Sequence, residues 1–254
     1  MMPSLFLAHG SPMIAIQDNR YTRFLKELGM NLNPKAIIIF TAHWESDVLT
    51  ISSRDDEYET IYDFYGFPEE LYQVTYPAKG STTIANKIQK RFERHGIQSK
   101  LDKRRGLDHG SWTVLKHLYP EANIPVVQIS VHPFLPPEEQ FQIGEALKGM
   151  GQEHMLIIGS GATSHNFRML KWGQNTPEPW AVEFDDWLID HIHQKNYQKL
   201  FQYETLAPHA QLAVPRPEHF VPLFIAMGSG CMETPEVIYR EYEMGTLSYL
   251  SFQF

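Results

Sequence analysis

Residues 36–42 read Ala-Ile-Ile-Ile-Phe-Thr-Ala, and the chain continues as His43-Trp44-Glu45. A short, near-continuous run of apolar, largely β-branched side chains with no polar alternation predicts a strand buried on both faces. Similar runs recur outward from it. Ser4 to Ala8 reads as a first strand, Val48 to Ser53 as a neighbour of the 36–42 strand, and Val126 to Val131 and Met155 to Ile158 as further strands. Amphipathic stretches lie between them. A helix is predicted from Arg20 to Leu28 with Gly29 as its stop, another from Ser81 to the stop signal Gly96, and a third over Glu138 to Leu147. Trp180 to His193 and Phe220 to Met227 also read as helices, and the tail from Val237 to Phe254 as two strands around Met244-Gly245. Strands alternating with helices predict an α/β fold, with a mostly parallel or mixed central sheet flanked by helices. No repeat, low-complexity tract or linker divides the chain, so residues 1–254 are expected to form one domain.

Composition narrows the function. A chain of 254 residues with 43% hydrophobic content can bury a core without staples. Its 22 basic and 30 acidic residues give a net charge of −8 with no basic block, so no nucleic-acid footprint is evident. No apolar run approaches the roughly 20 residues of a spanning helix, and the start MMPSLFLAHGSP lacks the features of a secretory signal. The single Cys231 cannot form an internal disulfide, which suits a cytoplasmic home, and it reads as a small structural hydrophobe. The composition leaves a homo-oligomer open.

Four of the 12 histidines fall where the chain must turn. His9 follows the first strand in His9-Gly10-Ser11-Pro12, and His43 follows the 36–42 run. His165 comes after Gly159-Ser160-Gly161-Ala162-Thr163-Ser164, and His219 opens the helix at Phe220. Ligands bind open α/β sheets beyond the carboxyl ends of their strands, so these four can share a cavity. Imidazole is the commonest metal ligand, although any one histidine is more often simply buried and hydrogen-bonded. A fifth, His109, lies in Asp108-His109-Gly110-Ser111-Trp112, where Asp108 is expected to cap a helix and His109 could hold or move a proton. His95, His191 and His193 read as solvated helix faces; His117, His154 and His209 lack supporting context, and His132 is at most a supporting residue. The segment Asp55 to Lys79 is long for a loop and holds Tyr58, Tyr62, Phe64, Tyr65, Phe67, Tyr72 and Tyr76. It is expected either to wall a pocket or to pack on itself. The glycines around Ser160 match neither a dinucleotide nor a Walker spacing, and no GxSxG elbow surrounds it.

Taken in order, HGSP, AHWE, DHGSW, GSGATSHN and PEHF resemble the class III extradiol ring-cleavage dioxygenases, in their DOPA 4,5-dioxygenase-like branch. The resemblance runs from His9 to at least His219. It implies one divalent metal held by His9, His43 and His219, with His165 a catalytic histidine sometimes assigned as a fourth ligand, and His109 a second catalytic histidine. Protocatechuate-type members use a glutamate as third ligand; here that position matches His219, with Glu218 adjacent. The implied reaction inserts O2 beside a hydroxyl of a catechol, DOPA or a related one, and yields a muconic semialdehyde. Fe(II) is the metal implied for activity, while a three-histidine site also suits Zn(II). A zinc hydrolase using metal-bound hydroxide and a non-enzymatic metal-binding or interaction protein of the same fold remain the alternatives.

Overall fold

In the computed structural model, which describes residues 1–174 and 176–254, the 36–42 run is the middle of β2 (Ala36–Glu45). The other strands are β1 (Ser4–Ala8), β3 (Leu49–Ser52), β4 (Ser99–Asp102), β5 (Val126–Val131), β6 (Met155–Gly161), β7 (Glu236–Tyr239), β8 (Tyr242–Glu243), β9 (Leu247–Ser248) and β10 (Ser251–Gln253). Eight of them form one sheet in the order β4-β3-β5-β2-β6-β1-β10-β7, and β8 and β9 pair as a separate hairpin. The inner four, β5-β2-β6-β1, are mutually parallel. Reversals at both margins (β3 against β5, β10 against β1) make the sheet mixed.

Nine helices cover this sheet among the described residues: α1 (Arg20–Asn31), α2 (Thr82–Arg94), α3 (His109–Leu118), α4 (Pro137–Leu147), α5 (Pro179–His193), α6 (Tyr197–Leu200), α7 (Tyr203–Leu206), α8 (Ala210–Ala213) and α9 (Val221–Ser229). Alternation along the strands explains their placement. Leu5, Leu7, Ile37, Ile39 and Ile158 share a core with Leu25 of α1 and Trp112 and Leu115 of α3. Ile38, Phe40, Ile129 and Ile157 point the other way, into a core with Ile88 of α2, Ile143 of α4 and Ile225 of α9. Successive strand side chains face opposite sides, so only a near-continuous apolar run can satisfy helices on both. No helix among the described residues is long and apolar enough to cross a membrane.

Two sequence expectations need correction, and one strand leaves no signal in the sequence. The 48–53 run does not neighbour β2, because both edges of β2 are taken by the longer parallel partners β5 and β6; β3 joins at the margin, between β5 and β4. Strand β4 (Ser-Lys-Leu-Asp) carries no apolar run because it is an edge strand. Helix α1 continues through Gly29 to Asn31. Gly29 is a contact point: a Cβ there would lie 2.0 Å from the Leu118 carbonyl oxygen of α3.

Gly161, at the end of β6, has the consequence that matters most for function. A Cβ there would stand 2.1 Å from the backbone oxygen of His219, and the same oxygen accepts a hydrogen bond from Ala162 N at 2.8 Å. The glycine thus lets the segment bearing His219 lie directly on the sheet. Gly161→Ala should cost about 1–3 kcal/mol through overpacking, seen as a lower melting temperature. It should weaken metal retention as well, because the clash is with the backbone of His219. Unchanged melting and metal retention would dismiss this role.

Candidate metal centre

His9, His43 and His165 all lie at or beyond the carboxyl ends of parallel strands β1, β2 and β6, and His219 arrives from the turn before α9. The fold brings His9, His43 and His219 together. His43 Nε2 lies 3.0 Å from His9 Nε2 and 3.3 Å from His219 Nε2. A tetrahedral ion with bonds of about 2.0–2.1 Å holds its ligand nitrogens roughly 3.3–3.4 Å apart, so the three atoms are spaced for one metal.

The opposite ring nitrogens show which tautomers are present. Ser160 Oγ donates its only proton to the Gly110 carbonyl, so toward His9 Nδ1, 3.0 Å away, it can only accept. His219 Nδ1 donates to Glu218 Oε1 at 3.1 Å. His43 Nδ1 faces Asp63 Oδ2 at 3.3 Å. With the Nδ1 protons committed, lone pairs on Nε2 converge, and such a cluster needs a cation to hold it. Burial foremost, and then the neighbouring imidazoles, push His9 and His219 well below the usual histidine range. Both are therefore neutral at pH 7, the form that binds a metal without first losing a proton.

His109 and His165 flank this trio on opposite sides. The His109 ring centroid is 3.8 Å from that of His43. His165 stacks on His219 with centroids 3.5 Å apart and planes 10° from parallel. Imidazole lone pairs lie in the ring plane, so two stacked, parallel rings do not converge on one ion. Burial first, and then His43 and His109, lower His165 to about 4; burial also lowers His109. His165 is neutral at pH 7 and able to accept a proton.

The loop that carries His165 is anchored from below. Thr163 Oγ1, Tyr242 OH and Ser248 Oγ all donate to the fully buried Asp185 carboxylate, at 2.7, 2.7 and 2.6 Å. Burial raises the Asp185 pKa against the pull of those hydroxyls.

Asp108 holds the cap position of α3 but makes no side-chain cap bond. It is wholly buried and has stronger partners: Oδ1 accepts from Thr41 Oγ1 at 2.7 Å and Oδ2 from Arg105 Nη2 at 3.2 Å. A buried carboxylate goes to the partners that best offset its desolvation. The remaining histidines stay outside the cluster. His117 Nε2 lies against the Ile14 carbonyl, His209 pairs with Glu183, and His132 lines a surface groove with His95 and Asp47.

The aromatic segment divides its labour. Tyr58 and Tyr76 are buried in the flank, donating to the carbonyls of Val126 and Tyr119. Phe64 meets the His109 ring edge-on at 5.5 Å, so this segment reaches the histidine cluster while packing on the flank core. Across the cluster, Phe167 stands edge-on to His165 at 4.6 Å and is 72% exposed. Sequence reasoning missed Asp63, one residue before Phe64. The signal available was a lone carboxylate within Tyr62-Asp63-Phe64-Tyr65. Burial opposes its ionisation, but the two imidazoles beside it hold its carboxyl well below the usual range.

Comparison with known proteins identifies the family. Residues 3–252 match the family described as the catalytic LigB subunit of aromatic ring-opening dioxygenase. The chain is 42% identical to a 4,5-DOPA dioxygenase extradiol of Beta vulgaris, covering 99% of this chain and 96% of that one. It is 38% identical to the protein of that name from Escherichia coli strain K12, over 99% and 95%. The crystal structure of an uncharacterized protein from Escherichia coli K12 superimposes with a TM-score of 0.84 at 33% identity, over all of both chains.

Proposed function

The chain belongs to the LigB family of aromatic ring-opening dioxygenases, and from that premise we propose that its histidine cavity opens DOPA or a closely related catechol. It is an extradiol ring-cleavage dioxygenase acting on catechols. The observation that carries the site assignment is the convergence of three Nε2 atoms at 3.0 and 3.3 Å, with an acceptor behind each Nδ1.

In this reading His9, His43 and His219 hold one divalent ion, Fe(II) in the active enzyme. Bound there, iron supplies the one-electron chemistry that lets dioxygen react with a closed-shell ring. The protein's own residues do the rest. His165 does not ligate the ion; it takes the proton of a catechol hydroxyl presented beside His219. His109, beside His43, helps position the substrate by accepting a hydrogen bond from a catechol hydroxyl. Phe64 and Phe167 stand beside those two histidines and offer a flat ring apolar surfaces. The identity of the catechol is supported by the names of the relatives, two of which are 4,5-DOPA dioxygenases over nearly the full chain.

The test is anaerobic reconstitution with Fe(II), followed by DOPA and air. A yellow ring-opened product should appear, with one O2 consumed per ring, and the zinc-loaded protein should be inactive. Turnover of DOPA no faster than that of unsubstituted catechol would reject the substrate assignment.

A further inference from the structure

We infer that Asp63 is a positioning residue that holds two imidazoles at once, setting the tautomer of His43 toward the metal and of His109 toward the substrate. This inference rests on the reading of His43 as a metal ligand. Asp63 Oδ2 faces His43 Nδ1 at 3.3 Å, and Oδ1 faces His109 Nδ1 at 2.9 Å while accepting the His109 backbone N–H at 3.0 Å. The contact to the His109 ring lies off the line of a good hydrogen bond. At that separation a bare nitrogen would set its lone pair against carboxylate oxygen, so each Nδ1 carries a proton. Each Nε2 is therefore left bare: on His43 to bind the ion, on His109 to accept a hydrogen bond from an oxygen-bound proton in the cavity. Ser160 and Glu218 each serve one imidazole, whereas Asp63 serves two. It is also carried by the loop whose next residue, Phe64, packs on His109. The loop that packs on His109 thus supplies the group that orients the proposed metal ligand His43.

The chemistry of an amide makes this testable. In Asp63→Asn one acceptor oxygen becomes an N–H donor of the same size, and both imidazoles can no longer be served. Oδ1 is already bonded to the backbone of His109, so the new donor is expected to face His43. His43 must then accept at Nδ1 and carry its proton on Nε2, where the ion would sit. Loss of a group supporting a metal ligand costs about 10- to 100-fold in affinity.

Zinc affinity of the full-length protein should be measured by competition with a chelator of known affinity, and imidazole tautomers by nitrogen-15 NMR of the apo and zinc-loaded forms. D63N should bind zinc about 10- to 100-fold more weakly and show one imidazole moved from the Nδ1–H to the Nε2–H tautomer. The apo protein should melt as wild type does, since Asp63 is an exposed residue that lies outside the core. Asp63→Glu, which keeps two acceptor oxygens, should recover part of the affinity. Wild-type zinc affinity with unchanged tautomers in D63N, or a D63E no better than D63N, would overturn the assignment. Failure of the underlying metal-site reading would look different, because His43→Ala would then also bind zinc normally.

Discussion

His43→Ala should empty the site of metal and abolish ring cleavage, with a greater loss than any supporting residue produces. His43 is the hub of the cluster, with its Nε2 within 3.3 Å of both other converging nitrogens. Removing it leaves two imidazoles, too few for the three-ligand sites that retain an ion while keeping a position open for substrate. Metal affinity should fall by well over the roughly 100-fold that marks the upper range for loss of a supporting group. Metal content after dialysis and oxygen uptake with a catechol measure the two effects. The protein should still fold, because the His43 side chain is 20% exposed and the cores on either side of β2 do not include it. A variant retaining stoichiometric metal would remove His43 from the ligand set.

His165→Ala should give the opposite division: chemistry lost, metal kept. The parallel stacking of His165 on His219 sets the two rings in separate planes, and burial foremost keeps His165 unprotonated, as the proposed base must be. Loss of a general base costs about 10²- to 10⁴-fold in turnover, so kcat should fall by that factor with metal content near wild type. Stacked against His219, the ring also steadies that proposed ligand, and a small fall in metal affinity is expected from this. Metal loss as severe as that of His43→Ala would instead make His165 a ligand.

How legible all this was differs residue by residue. The strand at 36–42, the glycine-bounded turns and the five histidines could be read directly, because burial on two faces and backbone turning leave local marks in a sequence. Asp63 could not be read in the same way. Its partners lie 20 and 46 positions away, and the irregular 55–79 segment has no periodicity to say where a carboxylate would point. The same holds for Ser160, which looked like part of a glycine-rich turn until its proton was seen committed to Gly110. Asp108 illustrates the converse: its local context suggested a helix cap, but burial beside Thr41 and Arg105 redirected it.

From the sequence alone came the α/β class, the candidate histidines His9, His43, His109, His165 and His219, and a family resemblance that the comparisons bear out. Those properties are written in patterns spanning a few residues, where side-chain type and backbone preference act locally. Tertiary structure decided which ring nitrogens face inward, that His165 stacks on His219 without sharing its plane, and that one carboxylate from an aromatic loop serves two imidazoles. Each of these depends on the relative orientation of groups from different strands and loops. Such orientation follows from how the hydrophobic cores pack against the sheet, and no stretch of sequence encodes it by itself.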